Sequence, residues 1–307
     1  MNKVPTILGP TASGKTDLAI RLAKKINGEV IGLDSRQIYE KIAIGTAQPT
    51  KKEMNGITHH LIGNKSLIET VSAGEYAKLV HKCIEKIQVK EKVPIVCGGA
   101  GLYYRAINEG IFDESKTDLS TRKKLEKKYD GGHAKEMLDE LKKIDPDYSK
   151  HVHINNKKRL IRALEIYSIT GKSPSYHYRI QKSKLIQDVN FLSIYLNWDR
   201  DVLKKRIAKR TSLLIKMGWV EEVKKLIHDY PDFDIRPLDS IGYHQIVLYL
   251  KNQLKLEHLE QEINIKTYQY AVKQIKWFKK ENINLTFYIN TKTSLEEIAD
   301  KIVENII

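Results

Sequence analysis

An eight-residue segment near the start of the chain has the glycine and lysine spacing of a phosphate-binding loop. The segment GPTASGKT comprises Gly9, Pro10, Thr11, Ala12, Ser13, Gly14, Lys15 and Thr16, directly after the apolar run VPTIL. This spacing lets backbone N–H groups converge on phosphate oxygens at the start of a helix. Lys15 is then placed to neutralise a terminal phosphate, and Thr16 to ligate Mg²⁺. The pattern predicts an enzyme that binds a diphosphate in this loop.

Two other apolar runs are followed by residues that could act on a ligand. Asp34 comes directly after the run EVIGL at 29–33, at the end of a predicted strand, where ligands bind in open α/β sheets. The alternative is that Asp34 caps a following helix. Gly98 and Gly99 follow VPIVC at 93–97, and paired glycines permit the close approach of a ligand or a helix.

Two segments further along carry arginines on predicted helices. Arg206 and Arg210 are four residues apart and share a helix face, as either a solvated surface pair or a phosphate clamp. In the segment KKRLIRALEIYSITGKSP (157–174), Leu160, Leu164 and Tyr167 form the predicted buried stripe. The arginines of that segment would then project away from the stripe.

Short apolar runs alternate with amphipathic stretches, which predicts βαβ units and a parallel sheet. Strands are predicted at 4–8, 29–33, 93–97, 191–196 and 285–289, and helices at 17–26 and 75–90. The runs are continuous rather than alternating, as is typical of strands covered on both faces. Residues 113–185 contain no strand-like run, only charged helical periodicity. We therefore predict an α/β core at 1–112 and 186–307, with a helical insertion at 113–185.

Charge and composition narrow the class of protein. The net charge of the 307 residues is +15, which favours a polyanionic partner, chiefly nucleic acid. The insertion holds 18 basic and 11 acidic residues, a net charge of +7, and is the most densely basic part. Cys83 and Cys97 make neither a disulfide framework nor a metal set. Without a predicted signal peptide or membrane span, we expect a cytoplasmic protein.

Taken together, the motifs resemble the tRNA dimethylallyltransferase family, also called tRNA isopentenyltransferases, over nearly the whole chain. They are GPTASGKT (9–16), LDSRQIYEKIAIGTAQP (33–49), HHLI (59–62), GGAGLYYRA (98–106), KKRLIRALEIYSITGKSPS (157–175), RIAKR followed by MGWVEEV (206–223), IGYHQI (241–246) and YAVKQIKWFK (270–279). The resemblance implies a nucleoside-kinase-like α/β core with an inserted helical domain that grips the anticodon stem-loop. It also implies transfer of a dimethylallyl group from its diphosphate to N6 of adenosine 37 in tRNAs that read codons beginning with U. Pyrophosphate is then the product and Mg²⁺ the cofactor.

The same resemblance implies roles for individual residues. Asp34 matches the family's catalytic aspartate, while Lys15, Thr16 with Mg²⁺ and Arg210 would stabilise the charge that grows on pyrophosphate. The positions implied to touch tRNA are Asp34, Ser35, Arg36, Gln37, Ala100, Arg122, Lys158, Arg159, Leu160, Ile161, Arg162, Ser240, Ile241, Gly242, Tyr243, His244 and Gln245. A monomer is the expected state of the protein.

The sequence also departs from the family pattern. Ala100 stands where the family has a threonine that contacts the target nucleotide. Tyr268, Val272, Lys273 and Lys276 stand where arginine, lysine, arginine and threonine are typical. The alternatives are a divergent paralogue with weaker activity, a prenyltransferase acting on free AMP or ATP, a nucleoside kinase, and a tRNA-binding protein without catalysis.

Overall fold

A six-stranded parallel sheet lies at the centre of the larger part of the molecule. The computed structural model describes residues 3–110, 118–183, 189–231 and 236–306. The strands are β1 (Val4–Leu8), β2 (Gly28–Leu33), β3 (His59–His60), β4 (Val93–Gly98), β5 (Phe191–Trp198) and β6 (Leu285–Ile289). Their order across the sheet is β3-β2-β4-β1-β5-β6, and all five pairings are parallel.

The central strands end in register with one another. Leu8 at the end of β1 and Leu33 at the end of β2 both pair with Gly98 at the end of β4. A Cβ atom on Gly98 would lie 2.0 Å from the carbonyl oxygen of Leu33, so only glycine fits there. The segments that follow these three strands therefore start side by side at one edge of the sheet.

Helices make up most of the remaining regular structure of the described residues. They are α1 (Lys15–Lys25), α2 (Lys51–Met54), α3 (Ala73–Gln88), α4 (Gly101–Asn108), α5 (Leu119–Lys128), α6 (Ala134–Ile144), α7 (Pro146–Ser149), α8 (Lys157–Thr170), α9 (Pro174–Ser183), α10 (Arg200–Lys216), α11 (Trp219–Asp229), α12 (Tyr243–Leu250), α13 (Leu256–Phe278) and α14 (Leu295–Ile306). The main core holds Leu22 of α1, Ile207 of α10, Ile275 of α13 and Ile302 of α14, packed with Ile194 of β5. Burial of each such side chain contributes about 1.5–3 kcal/mol.

The chain divides into two compact units. The first comprises residues 1–72, 76–104 and 187–307 and contains the sheet, and the second comprises 73–75 and 105–186. The described part of the second unit is helical, with its own core around Met137, Leu141 and Leu160. The predicted ends of the insertion, residues 113 and 185, lie outside the described residues and stay predictions.

The predicted α/β class is confirmed, as are all five predicted strands, with ends within two residues. Four details differ. The edge strand β3 was not predicted, because two residues are too few to form a recognisable apolar run. Helix α1 begins at Lys15 rather than at 17, since the phosphate-binding loop itself starts the helix. Helix α3 spans Ala73–Gln88 rather than 75–90. The placement of Tyr167 in the buried stripe of α8 is wrong, because its side chain is 40% exposed.

Candidate active site

The segment Gly9–Gly14 connects β1 to α1 and has the backbone of an anion-binding loop. Ala12 and Gly14 both have a left-handed backbone, with φ of 61° and 84°. Gly14 is the residue that precedes α1, and it has no side chain to cap the helix. The first-turn N–H groups of α1 thus lack this common partner, and the helix dipole favours negative charge at that point. The loop can therefore bind phosphate oxygens through its backbone.

Lys15 folds back over the loop. Its Nζ atom donates hydrogen bonds to the carbonyl oxygen of Pro10 at 2.7 Å and to the hydroxyl of Ser13 at 3.3 Å. Burial, together with the neighbouring charge of Arg210, lowers the pKa of Lys15 to about 8, whereas Cys97 and Asp34 oppose the shift. An anion in the loop would favour the charged ammonium, so binding of a diphosphate and protonation of Lys15 are coupled.

Helix α10 places two arginines on the loop. Arg210 Nη1 donates to the hydroxyl of Thr11 at 3.2 Å, and Arg206 Nε donates to the carbonyl oxygen of Ala12 at 2.8 Å. The Arg206 guanidinium also stacks 4.4 Å from the ring centre of Trp198. Both side chains contact the loop, but Arg210 is partly buried and Arg206 is exposed, so the alternative of a solvated surface residue is wrong for Arg210 only. Burial lowers the pKa of Arg210, and the charge of Asp34 acts against that shift.

Asp34 lies at the end of β2 and shapes the loop that follows. Its Oδ1 atom accepts hydrogen bonds from the N–H groups of Arg36 at 2.8 Å and Gln37 at 3.3 Å. The segment after it forms turns, with no α-helix before Lys51. The alternative that Asp34 caps a following helix is therefore wrong. Oδ2 accepts no hydrogen bond from the described residues. One carboxylate oxygen therefore holds the turn while the other is available to a ligand.

The remaining predicted residues of this loop are all partly exposed but differ in their hydrogen bonds. Ser35 and Arg36 are partly exposed. Gln37 uses its amide Nε2 to donate to the carbonyl oxygens of Thr46 and Ala47, each at 3.0 Å, and so closes the loop on itself. Its side chain is committed to loop structure.

Ala100 lies in the turn between β4 and α4. Its N–H donates to the carbonyl oxygen of Leu33 at 3.4 Å, and its own carbonyl oxygen accepts from Tyr104 at 2.9 Å. Ala100 thus occupies the position before the helix, where a threonine hydroxyl could also cap the first turn. The strand register places this turn beside Asp34 and the phosphate-binding loop.

The structure divides the predicted segment 240–245 into inward and outward residues. Tyr243 is 1% exposed, and its hydroxyl donates to Glu222 Oε1 at 2.7 Å, while Gln245 is 7% exposed and accepts from the N–H of Gly242. His244 is exposed, and Ser240 and Ile241 are partly exposed. The buried pair cannot offer side chains to RNA, so their contribution is to hold the backbone of this segment.

In the second unit the predicted RNA-binding residues fall into the same two groups. Lys158 and Arg159 are exposed on α8, whereas Leu160 and Ile161 are buried in the core of the unit. Arg162 Nη1 pairs with the buried carboxylate of Glu165 at 2.9 Å. On α5, Arg122 pairs with Glu126 at 3.3 Å. Direct contacts with RNA are therefore open to the cations, and the two apolar residues position them.

Sequence reasoning missed three residues that support the site. Gln274 of α13 hydrogen-bonds to the loop at Thr11, and Trp198 donates its indole N–H to the carbonyl oxygen of Ser13 at 2.9 Å. Glu222 of α11 accepts from the N–H groups of Ile44 and Gly45 at 2.8 and 3.0 Å, and so secures the loop that begins at Asp34. No local pattern marks these side chains, since each acts on a segment that is remote in sequence.

A magnesium ion at this site would be coordinated mainly by the phosphate groups of the bound substrate rather than by protein side chains. Thr16 is partly exposed in the first turn of α1, as the motif requires. The described residues contain no group of three His, Cys, Asp or Glu side chains that could hold a metal. Mg²⁺ commonly binds through one or two protein oxygens, substrate phosphates and water. The Thr16 hydroxyl fits that mode.

None of the described helices is long and apolar enough to cross a membrane.

The parallel sheet, the phosphate-binding loop and the adjoining carboxylate define a P-loop α/β enzyme. The family model described as IPP transferase matches residues 37–281. A tRNA dimethylallyltransferase of Halothermothrix orenii is 39% identical over 286 residues, which cover 93% of this chain and 87% of that protein. The chain belongs to the IPP transferase family.

Solved structures agree with this assignment. The full-length tRNA isopentenylpyrophosphate transferase from Bacillus halodurans is 33% identical, with a TM-score of 0.71, and the match covers 100% of this chain and 97% of that one. A eukaryotic dimethylallyltransferase acting on tRNA is 28% identical, with a TM-score of 0.80, over 99% of this chain and 80% of that one.

Proposed function

We propose that this protein transfers a dimethylallyl group from dimethylallyl diphosphate to N6 of adenosine 37 in tRNAs that read codons beginning with U. The observation that carries the proposal is the convergence of Lys15, Arg210 and Asp34 at the ends of β1 and β2. Two cations and a carboxylate suit a reaction in which a diphosphate leaves and an amine loses a proton. The names of the relatives support the substrate class.

In the reaction, the bond between the allylic carbon and the diphosphate oxygen breaks, and its electron pair leaves with pyrophosphate. Lys15 and Arg210, together with the N–H groups of the loop, stabilise the growing negative charge. Mg²⁺, held by the Thr16 hydroxyl and the diphosphate, would neutralise part of this charge. A nucleoside kinase would use the same loop for phosphoryl transfer, but it does not account for the segments DSRQIY (34–39) and GTAQP (45–49) together.

The acceptor nitrogen forms its new bond to the allylic carbon and becomes more acidic as it does so. Asp34 accepts the proton through the carboxylate oxygen that the turn leaves available. The adenine must leave its stack to reach a donor seated in the loop, which is the general solution of enzymes that modify bases. The exposed cations Lys158 and Arg159 would bind the phosphates of the anticodon stem-loop. We further propose that the protein acts as a monomer in the cytoplasm.

The test is incubation of the protein and Mg²⁺ with labelled dimethylallyl diphosphate and one of two acceptors, either unmodified tRNA or AMP. Label in tRNA at adenosine 37, and none in AMP, is the expected result. Label in AMP alone would favour a free-nucleotide prenyltransferase. Binding of tRNA without label in either acceptor would refute the enzyme and leave a binding protein. A tRNA with adenosine 37 replaced by guanosine is the matched control.

A further inference from the structure

Gln274, on helix α13, connects two of the loops at the carboxyl end of the sheet. Its side chain is only 7% exposed. The amide oxygen accepts a hydrogen bond from the N–H of Thr11 at 2.9 Å, and the amide nitrogen donates to the carbonyl oxygen of Gly99 at 2.8 Å. Since one partner is a donor and the other an acceptor, only one orientation of the amide satisfies both.

The connection leaves little free space around it. A Cβ atom on Gly99 would lie 2.6 Å from Nε2 of Gln274 and 2.8 Å from the carbonyl oxygen of Gly9. The phosphate-binding loop, the Gly99 turn and the Gln274 amide are thus in direct contact. In so dense a packing, displacement of one member moves the others.

Each end of this connection leads to a group that the reaction uses. On one side, Thr11 is also held through its hydroxyl by Arg210, so the loop residue is fixed from both α10 and α13. On the other side, Gly99 precedes Ala100, whose N–H donates to the carbonyl oxygen of Leu33, the residue before Asp34. The Gln274 amide therefore lies between the loop proposed to bind the diphosphate and the edge of the sheet that carries Asp34, the proposed catalytic base.

We infer that Gln274 is a positioning residue, whose amide fixes the spacing between the loop that holds the donor diphosphate and the Gly99–Ala100 turn beside the acceptor. This inference rests on the proposed function. Gln274 itself touches neither reactant. Misplacement of reacting atoms by about 1 Å can lower a rate by about 100-fold. The loop amides and Lys15 would still bind the diphosphate, so loss of the amide acts on turnover rather than on donor affinity.

The first test is Gln274→Met, which keeps the length of the side chain and removes both hydrogen bonds. We expect kcat with saturating tRNA and donor to fall by about 10–100-fold, with the Kd for inorganic pyrophosphate within about threefold of wild type. Gln261→Met, at an exposed position of the same helix, is the control and should change neither quantity. A purely structural role would instead lower the melting temperature and reduce binding and turnover together.

The second test uses Gln274→Glu, which keeps the acceptor for Thr11 and regains the donor only when protonated. Burial against the carbonyl oxygen of Gly99 favours the neutral acid. The ratio of variant to wild-type kcat should therefore rise toward one as the pH falls from 9 to 6. A ratio that does not depend on pH, or that falls with decreasing pH, would contradict the inference.

A third measurement is independent of the reaction. Hydrogen exchange is followed with and without pyrophosphate in wild type and in Gln274→Met. In both proteins pyrophosphate should slow exchange in residues 9–16, but only in wild type should it also slow exchange in 98–103. If pyrophosphate slows exchange in 98–103 of a wild-type protein that labels no tRNA, the proposed function is refuted and the positioning role is supported. Absence of the link, or a Gln274→Met kcat within twofold of wild type, would overturn the role.

Discussion

The phosphate-binding loop and helix α8 both carry cations predicted to meet phosphates, but the structure holds them in different ways. At the loop, Lys15 and Arg210 are partly buried, and each is fixed by hydrogen bonds to loop atoms. On α8, Lys158 and Arg159 stand exposed, above a layer of buried apolar residues.

The difference follows from the strength of electrostatic interactions in the two settings. A charge in a site that excludes water acts strongly and in a fixed direction, which suits the stabilisation of a leaving group. An exposed charge is screened by salt and acts mainly on association. Changes at the loop should therefore alter turnover, and changes on α8 should alter salt-dependent binding.

The largest expected effect is at Asp34. Asp34→Asn keeps an oxygen that can accept from Arg36 and Gln37 but removes the base, so turnover should fall by about 10²–10⁴. Asp34→Ala should lose at least as much activity and also loosen the turn. Single-turnover labelling of tRNA measures the loss, and filter binding should show unchanged tRNA affinity. Full activity of Asp34→Asn would leave Asp34 as a residue that only shapes its turn.

The second largest effect is expected for tRNA binding, when two arginines of α8 are neutralised. Neutralising Arg159 and Arg162 to glutamine should weaken tRNA binding by roughly 10–100-fold at 0.1 M salt and reduce the slope of log K against log salt by about 2. Glu165→Gln is added to the same variant, because Glu165 is buried and would otherwise lose its cation. Titrations at several salt concentrations provide the measurement. An unchanged slope would make the segment structural.

A third effect concerns pH, through the pKa of Lys15 near 8 in the empty loop. Below pH 8 the ammonium is already charged, so the affinity for dimethylallyl diphosphate should be constant. Above pH 8 binding must take up a proton, and the affinity should fall by about tenfold for each pH unit. Phosphate groups complete their ionisation near pH 6, so the ligand does not change in this range.

Calorimetry from pH 7 to 9.5 measures this dependence, and Lys15→Met is the control that should remove it. A constant affinity across the whole range in the wild type would show that Lys15 keeps its proton in the empty loop.

The smallest effect is expected for Ala100→Thr, which restores the hydroxyl typical of the family. Threonine caps helices better than alanine, so the variant should be more stable by about 0.5–1 kcal/mol in chemical denaturation. A contact with the target nucleotide should raise kcat/KM for tRNA by a few-fold to tenfold. Unchanged kinetics with increased stability would limit position 100 to the cap.

The sequence predicts the parts of this molecule that depend on local order. Continuous apolar runs locate the sheet, and the Gly9–Thr16 spacing locates the phosphate-binding loop, because both follow from neighbouring residues. The burial of Tyr243 and the exposure of Tyr167 depend on which segments pack together, and no periodicity settles that. The Glu222 and Gln274 side chains illustrate the same limit, since their partners lie 178 and 263 residues away.

Trp198 gives the phosphate-binding loop an optical reporter of its own. Its indole donates to the carbonyl oxygen of Ser13, and the Arg206 guanidinium lies over its ring, so a shift of either group changes the surroundings of the fluorophore. Trp219, packed against Gly45 and Gly242, is 3% exposed and fixed between segments that hold no donor. Filling of the loop should therefore change the intrinsic emission of the unmodified protein through Trp198, and also through Trp277, which packs against Gly101.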